Sequence, residues 1–166
     1  MASSTYLIAI GSNRRGRHGG PRDAVRAAIA RLGDVRAASP IVETPPLGPS
    51  VRRFANAACI VASDETPPTL LARLKAIERD FGRRRGRRWG ARVIDLDIIL
   101  WSGGCWTSPG LTVPHAAFRT RDFVLAPAAA IGPDWRDPVT NSTLRQLRAR
   151  LTRRAPAPRG ALGTGS

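Results

Sequence analysis

The run Val93-Ile94-Asp95-Leu96-Asp97-Ile98-Ile99-Leu100 is apolar and rich in β-branched residues, broken only by two aspartates two positions apart. That composition predicts a strand. Strand side chains alternate between faces, so Asp95 and Asp97 share one face. Ile94, Leu96, Ile98 and Leu100 are expected on the other, against a core. The chain must therefore build a sheet that buries one face of this strand and leaves its carboxylates accessible.

Two carboxylates on one rigid strand repel each other, and a cation between them relieves the cost. Hard oxygen donors, few in number, suit Mg2+, which keeps waters and takes further ligands from substrate phosphates. Just upstream, Arg83, Arg84, Arg85, Arg87, Arg88 and Arg92 crowd a segment that also holds Trp89 and Gly90. Guanidinium groups bind phosphate oxygens in bidentate fashion. Carboxylates beside an arginine segment point to phosphoryl-transfer chemistry on a nucleotide. Each feature alone is weak. Most Asp-x-Asp pairs on strands are solvated or serve nearby arginines, and most arginine runs are solvated or face nucleic acid.

With 166 residues the chain fits one domain, long enough to bury a core without disulfides. Cys59 and Cys105 lack a C-x-x-C spacing, and Cys59 lies in an apolar run, so a buried free thiol is expected there. No apolar run reaches transmembrane length, and Met1 to Tyr6 lacks the features of a signal peptide. A cytoplasmic location and a monomer are expected. The net charge of +15 comes almost wholly from arginine, since Lys75 is the one lysine. Such a balance attracts polyanions. It keeps open a basic nucleic-acid-binding module without catalysis.

Taken in order, Thr5 to Gly11 is a first buried strand, followed by an arginine- and glycine-rich loop to Gly20. Pro21 suits the first position of a helix whose apolar face is Val25, Ala28, Ile29 and Leu32. Val35 to Glu43 is a second strand candidate containing Pro40. Thr44-Pro45-Pro46-Leu47-Gly48-Pro49 cannot continue a strand or helix and makes a stiff loop. Phe54 to Ser63 is a third strand, with Asn56 either stapling a loop or reading the edge of a heterocycle. Thr66-Pro67-Pro68 opens a second helix with Leu70, Leu74, Ile77 and Phe81 at helical spacing, ended by Gly82. After the Asp95/Asp97 strand, Ser102 to Gly104 turns the chain and Cys105-Trp106-Thr107 pairs back. Leu111 to His115 is extended, Phe123 to Pro127 is buried, and Ser142 to Leu151 is a basic amphipathic helix. Residues 152–166 read as a disordered basic tail beyond a single domain of residues 1–151. The order β-α-β-β-α-β predicts an α+β, ferredoxin-like split βαβ fold, a mostly antiparallel sheet covered by helices.

Six blocks then converge: Ala9-Ile10-Gly11-Ser12-Asn13, Thr44 to Pro49, Asn56-Ala57-Ala58, Arg88 to Arg92, Asp95 to Ile98, and Leu111 to His115. In this order and spacing the chain resembles the 6-hydroxymethyl-7,8-dihydropterin pyrophosphokinases of folate biosynthesis. No P-loop is present, so phosphates must be held by another device. The resemblance implies transfer of diphosphate from ATP to the pterin hydroxymethyl group, with release of AMP and the use of two Mg2+ ions. It assigns Asp95 and Asp97 to the metals, and Arg83 and Arg92 to charge stabilisation in the transfer. Glu78, Arg85, Trp89, Arg92, Ile98, Thr112, His115 and Arg121 would form the ATP site. Thr44, Pro45, Leu47, Phe54, Asn56 and Phe123 would form the pterin site, the two phenylalanines sandwiching the ring. Phe54 stands where the family often carries tyrosine. A third possibility is a retained fold acting as a non-catalytic partner.

Overall fold

The computed structural model describes residues 3–44, 53–82 and 93–154. The central strand is β1 (Ser4–Ser12). A helix, α1 (Pro21–Ile29), follows with Pro21 at its first turn and Asp23 near its positive end. Two short strands, β2 (Asp34–Ala38) and β3 (Val42–Thr44), lead to the long β4 (Phe54–Ser63). Helix α2 (Pro67–Asp80) precedes β5 (Asp95–Trp101). Gly82 closes α2 at φ +100°, a conformation that side chains resist. A hairpin of β6 (Trp106–Ser108) and β7 (Leu111–Val113) comes next. A 3-10 turn at Phe118–Thr120 and helices α3 (Asp122–Ile131) and α4 (Leu144–Arg154) complete the described chain.

The main sheet runs β2-β4-β1-β5, with β3 also on β4, and every pairing is antiparallel. This is the expected α+β, ferredoxin-like arrangement. Its two faces serve different cores. Tyr6, Ile8 and Ile10 of β1 pack with Val25 and Ala28 of α1 and with Leu70, Leu74 and Ile77 of α2. Leu7 of β1 packs instead with Val124, Leu125 and Ala128 of α3 and Leu144 and Leu147 of α4. Each of these larger apolar side chains contributes roughly 1.5–3 kcal/mol by leaving water. The Cys59 thiol is fully buried in the first core, and burial pushes its pKa up to about 11.

Several expectations are corrected. The strand expected over Val35 to Glu43 is two strands, because Pro40 has no N–H and the ladder stops. At the break, Ser39 Oγ accepts the Ala58 amide at 2.9 Å. Leu100 does not share a face with Leu96. Ile8 pairs with Ile98 but Leu7 with Leu100, so Ile99 is an extra residue and the alternation reverses there. Trp106 to Ser108 pairs with β7 rather than back onto β5. The segment from Phe123 is a helix, stabilised by the second core despite Pro127 inside it, and Phe123 itself is exposed. Helix α4 continues to Arg154, past the expected boundary at residue 151. Residues 155–166 lie outside the described residues.

Candidate active site

Helices α3 and α4 cover the second face of the sheet around Leu7, Ala58, Ile99 and Leu100, with Ala9 at the margin. Toward the other end of β1, the side chains at positions 9 and 11 shrink to alanine and glycine, and an open cavity of about 490 Å³ remains. Strand alternation supplies its contents. On β4, Ala55 and Ala57 face the first core, so Asn56 faces the cavity. On β5, Leu96 faces that core, so Asp95 and Asp97 face the cavity from the other side. The register places Gly11 opposite both Asn56 and Asp95, and Ala9 opposite Asp97.

The rim carries the aromatic groups. Phe54 opens β4 and Phe123 lies in the first turn of α3, and both line the cavity. Among the described residues they are two of the few large apolar side chains left in water, 37% and 52% exposed. Exposed aromatic faces at a cavity mouth suit a planar ligand. The Arg121 guanidinium lies 5.8 Å from the Phe123 ring centroid, where the ring face attracts a cation. His115 is tied to β5 by its amide, which donates to the Ile99 carbonyl at 3.0 Å. Its Nδ1 accepts the Ala117 amide at 3.2 Å, which assigns the proton of the neutral ring to Nε2.

Of the residues expected in a site, Thr44, Phe54, Asn56, Asp95, Asp97, His115, Arg121 and Phe123 line this one cavity. Three others do not. Ile98 is 3% exposed in the first core, and the extra residue Ile99 lines the cavity instead. Thr112 is exposed on β7. Glu78 is 1% exposed beneath the sheet, and its Oε1 accepts the Leu96 amide at 3.1 Å. Since β5 is the edge strand, this carboxylate braces its backbone between the two aspartates. Pro45, Leu47, Arg83, Arg85, Trp89 and Arg92 lie outside the described residues. Ala9, Gly11, Ser12 and Asn13 also line the cavity with no role foreseen. Small residues closing an otherwise bulky strand were the signal for them.

Asp95 and Asp97 offer a hard-oxygen pair to a cation, and no larger His, Cys, Asp or Glu cluster suited to a metal occurs among the described residues. A two-carboxylate site open to a cavity fits Mg2+, which completes its shell with water and phosphate. No helix among the described residues is long and apolar enough to cross a membrane.

Comparison with known proteins agrees with this geometry. The family profile described as 7,8-dihydro-6-hydroxymethylpterin-pyrophosphokinase matches residues 7–133. The 2-amino-4-hydroxy-6-hydroxymethyldihydropteridine pyrophosphokinase of Pseudomonas aeruginosa is 40% identical over 137 residues, covering 79% of this chain and 82% of that protein. The protein of the same name from Synechocystis sp. is 37% identical over 130 residues, covering 75% and 67%. A crystal structure of the wild-type Plasmodium falciparum HPPK-DHPS protein with pteroate superposes with a TM-score of 0.70 at 13% identity. It covers 92% of this chain and 45% of that one, and shows the shared fold. The nucleic-acid-binding alternative gains no support from the cavity or from these relatives. The chain belongs to the 7,8-dihydro-6-hydroxymethylpterin-pyrophosphokinase family.

Proposed function

We propose that this chain moves the β,γ-diphosphate of ATP onto the hydroxymethyl oxygen of 6-hydroxymethyl-7,8-dihydropterin and releases AMP, a step of folate biosynthesis. The hydroxymethyl oxygen forms a bond to the β-phosphorus. The bond from that phosphorus to the oxygen bridging the α-phosphate breaks, and this oxygen leaves on AMP. The hydroxyl proton passes to solvent. The observation that carries the proposal is one cavity with exposed aromatics and an amide on one side of the central strand and paired carboxylates on the other.

In this proposal the pterin lies between Phe54 and Phe123, with its pyrimidine edge against Asn56 and Thr44. Backbone groups of Thr44 and Leu47 complete that edge, and Pro45 belongs to the same pterin site. Stacking supplies affinity, and polar groups left unmatched reject analogues. Arg121 and His115 hold the nucleotide, and Arg85 and Trp89 are assigned to the same ATP site. Arg83 and Arg92 balance the charge that develops on the transferring group and keep it in line with the attacking oxygen. Asp95 and Asp97 would hold two Mg2+ ions. When bound, these would neutralise phosphate charge and favour ionisation of the attacking hydroxyl. Glu78 acts from below by fixing the backbone of β5, and Ile98 acts as core beneath the site. A monomeric, cytoplasmic protein built as one domain that includes the whole of α4 is part of the same proposal.

The test is product analysis. The protein is incubated with the dihydropterin, ATP and Mg2+, and AMP and ADP are separated by chromatography. Pterin-dependent AMP is the expected product. ADP would mean single phosphoryl transfer, and neither product from folded protein would overturn the proposal.

A further inference from the structure

The strand that runs under the cavity carries, one residue before its end, a glycine that the backbone does not demand. Gly11 is absent from the positive-φ glycines among the described residues, so an alanine could adopt its conformation. Glycine inside a strand is normally unfavourable by roughly 0.5–1 kcal/mol relative to alanine. Where it occurs without a backbone reason, something approaches closely. Here that neighbour is Asn56. A Cβ built on Gly11 would lie 3.1 Å from Asn56 Oδ1, tighter than ordinary contact.

The register shows what the missing methyl serves. Gly11 is paired with Asn56 on one side and with Asp95 on the other. Two inter-strand steps separate those partners, about 9–10 Å. A fused two-ring heterocycle with a one-carbon arm spans such a gap, its polar edge at the amide and its hydroxyl toward the carboxylate. It must pass over the α-carbon of Gly11.

Resting on the function proposed above, we infer that Gly11 determines specificity for the pterin: its missing side chain keeps the Asn56 carboxamide in its reading position and leaves the floor flat beneath the ring. Gly11 is a positioning residue acting largely through Asn56, and the nucleotide does not depend on it.

The experiment compares wild type, Gly11→Ala, Asn56→Ala and the double variant. Calorimetry measures binding of the dihydropterin and of ATP separately, and thermal melting monitors the fold. Gly11→Ala is expected to weaken pterin binding about 10-fold or more, the scale of one misplaced carbon in a fitted pocket, and to leave ATP binding within about twofold. Its melting temperature should be unchanged or higher, which separates a site effect from unfolding. The double variant should bind pterin about as weakly as Asn56→Ala alone. Unchanged pterin affinity in Gly11→Ala, equal loss of both ligands, or additive losses in the double variant would overturn the inference while leaving the pyrophosphokinase proposal standing. A wild-type protein that binds no pterin would overturn both.

Discussion

Asp137 is fully buried, and its carboxylate accepts four hydrogen bonds. It accepts Arg119 Nε at 2.6 Å and Arg119 Nη2 at 2.9 Å, Thr140 Oγ1 at 2.7 Å, and the Val139 amide at 3.0 Å. Burial pushes its pKa up. The hydrogen bonds from Arg119, Thr140 and Val139, together with the charge of Arg119, outweigh burial and hold the group at about 2. The pair joins the 3-10 turn between His115 and Arg121 to the loop before α4. Asp137→Asn keeps the shape and removes the charge, leaving a largely covered guanidinium uncompensated. Breaking a buried pair in this way costs about 3 kcal/mol or slightly more. For a domain of this size that is roughly a 10 °C fall in melting temperature.

The pH dependence supplies an independent magnitude. The folded pKa of about 2 lies below the ordinary value of 3.8, a difference equivalent to roughly 2–3 kcal/mol. A depressed folded pKa means that the stabilisation is complete above the unfolded pKa and disappears as pH falls through the folded one. Glu65 and Asp80 are also held below the usual carboxylate range, through hydrogen bonds from Arg73 and Arg31, and add to the slope of wild type. The stability difference between wild type and Asp137→Asn isolates the one group. Measured by urea unfolding from pH 7 downward, it should hold near 3 kcal/mol to about pH 4 and shrink by most of that by pH 2. A loss under about 1 kcal/mol at pH 7, or a difference that stays flat with pH, would refute this account of the pair.

Asp97→Ala should abolish pterin-dependent AMP formation yet leave the melting temperature unchanged or higher, because it removes a cavity-facing like charge rather than core volume. Near-wild-type turnover would remove Asp97 from the metal site. Phe123→Ala should weaken pterin binding by about 1–3 kcal/mol, the usual worth of a stacked heterocycle, and ATP binding much less; titration calorimetry with each ligand decides it. Glu78→Ala strips an acceptor from the buried Leu96 amide, which costs about 1–3 kcal/mol, and should raise the Mg2+ concentration needed for half-maximal activity. Glu78→Gln still offers an acceptor to that amide, so a Mg2+ requirement equally raised in both variants would argue against the brace.

The period-2 pattern exposed most of the architecture in the sequence. Residues 94–98 carry it cleanly, so that strand and the face bearing Asp95 and Asp97 could be derived from alternation alone, whereas residues 54–63 read as a strand only from their apolar run and the face of Asn56 emerged from the register. Alternation failed at Ile99, because a bulge is a relation between two strands and β5 in isolation shows no trace of it. Helix α3 was illegible for a related reason. Its apolar residues and internal Pro127 oppose a surface helix, and only the second core, formed with α4, makes that helix favourable. Glu78 shows the opposite limit. Its nearness to an apolar stripe was visible, but its partner, one backbone amide of an edge strand, was not.

The two faces of the sheet divide stability from chemistry. The α1/α2 face is packed along β1 from Tyr6 to Ile10. The opposite face is packed around Leu7, with Ala9 at the margin, and gives way to the cavity toward Gly11. A substitution that fills this open half loses no packed neighbour, and removing Asp97 takes away one of two like charges on the same face. Changes at Gly11, Asp97 or Phe123 should therefore cost binding or turnover while sparing the fold, and changes on the packed face should do the reverse. The edge strand β5 is where the two meet. Leu96 is core, its neighbours on either side are the carboxylates, and its amide is held by Glu78 from the packed side. A perturbation under β5 is thus the one kind that should lower stability and Mg2+ response together, because the same backbone bond serves both.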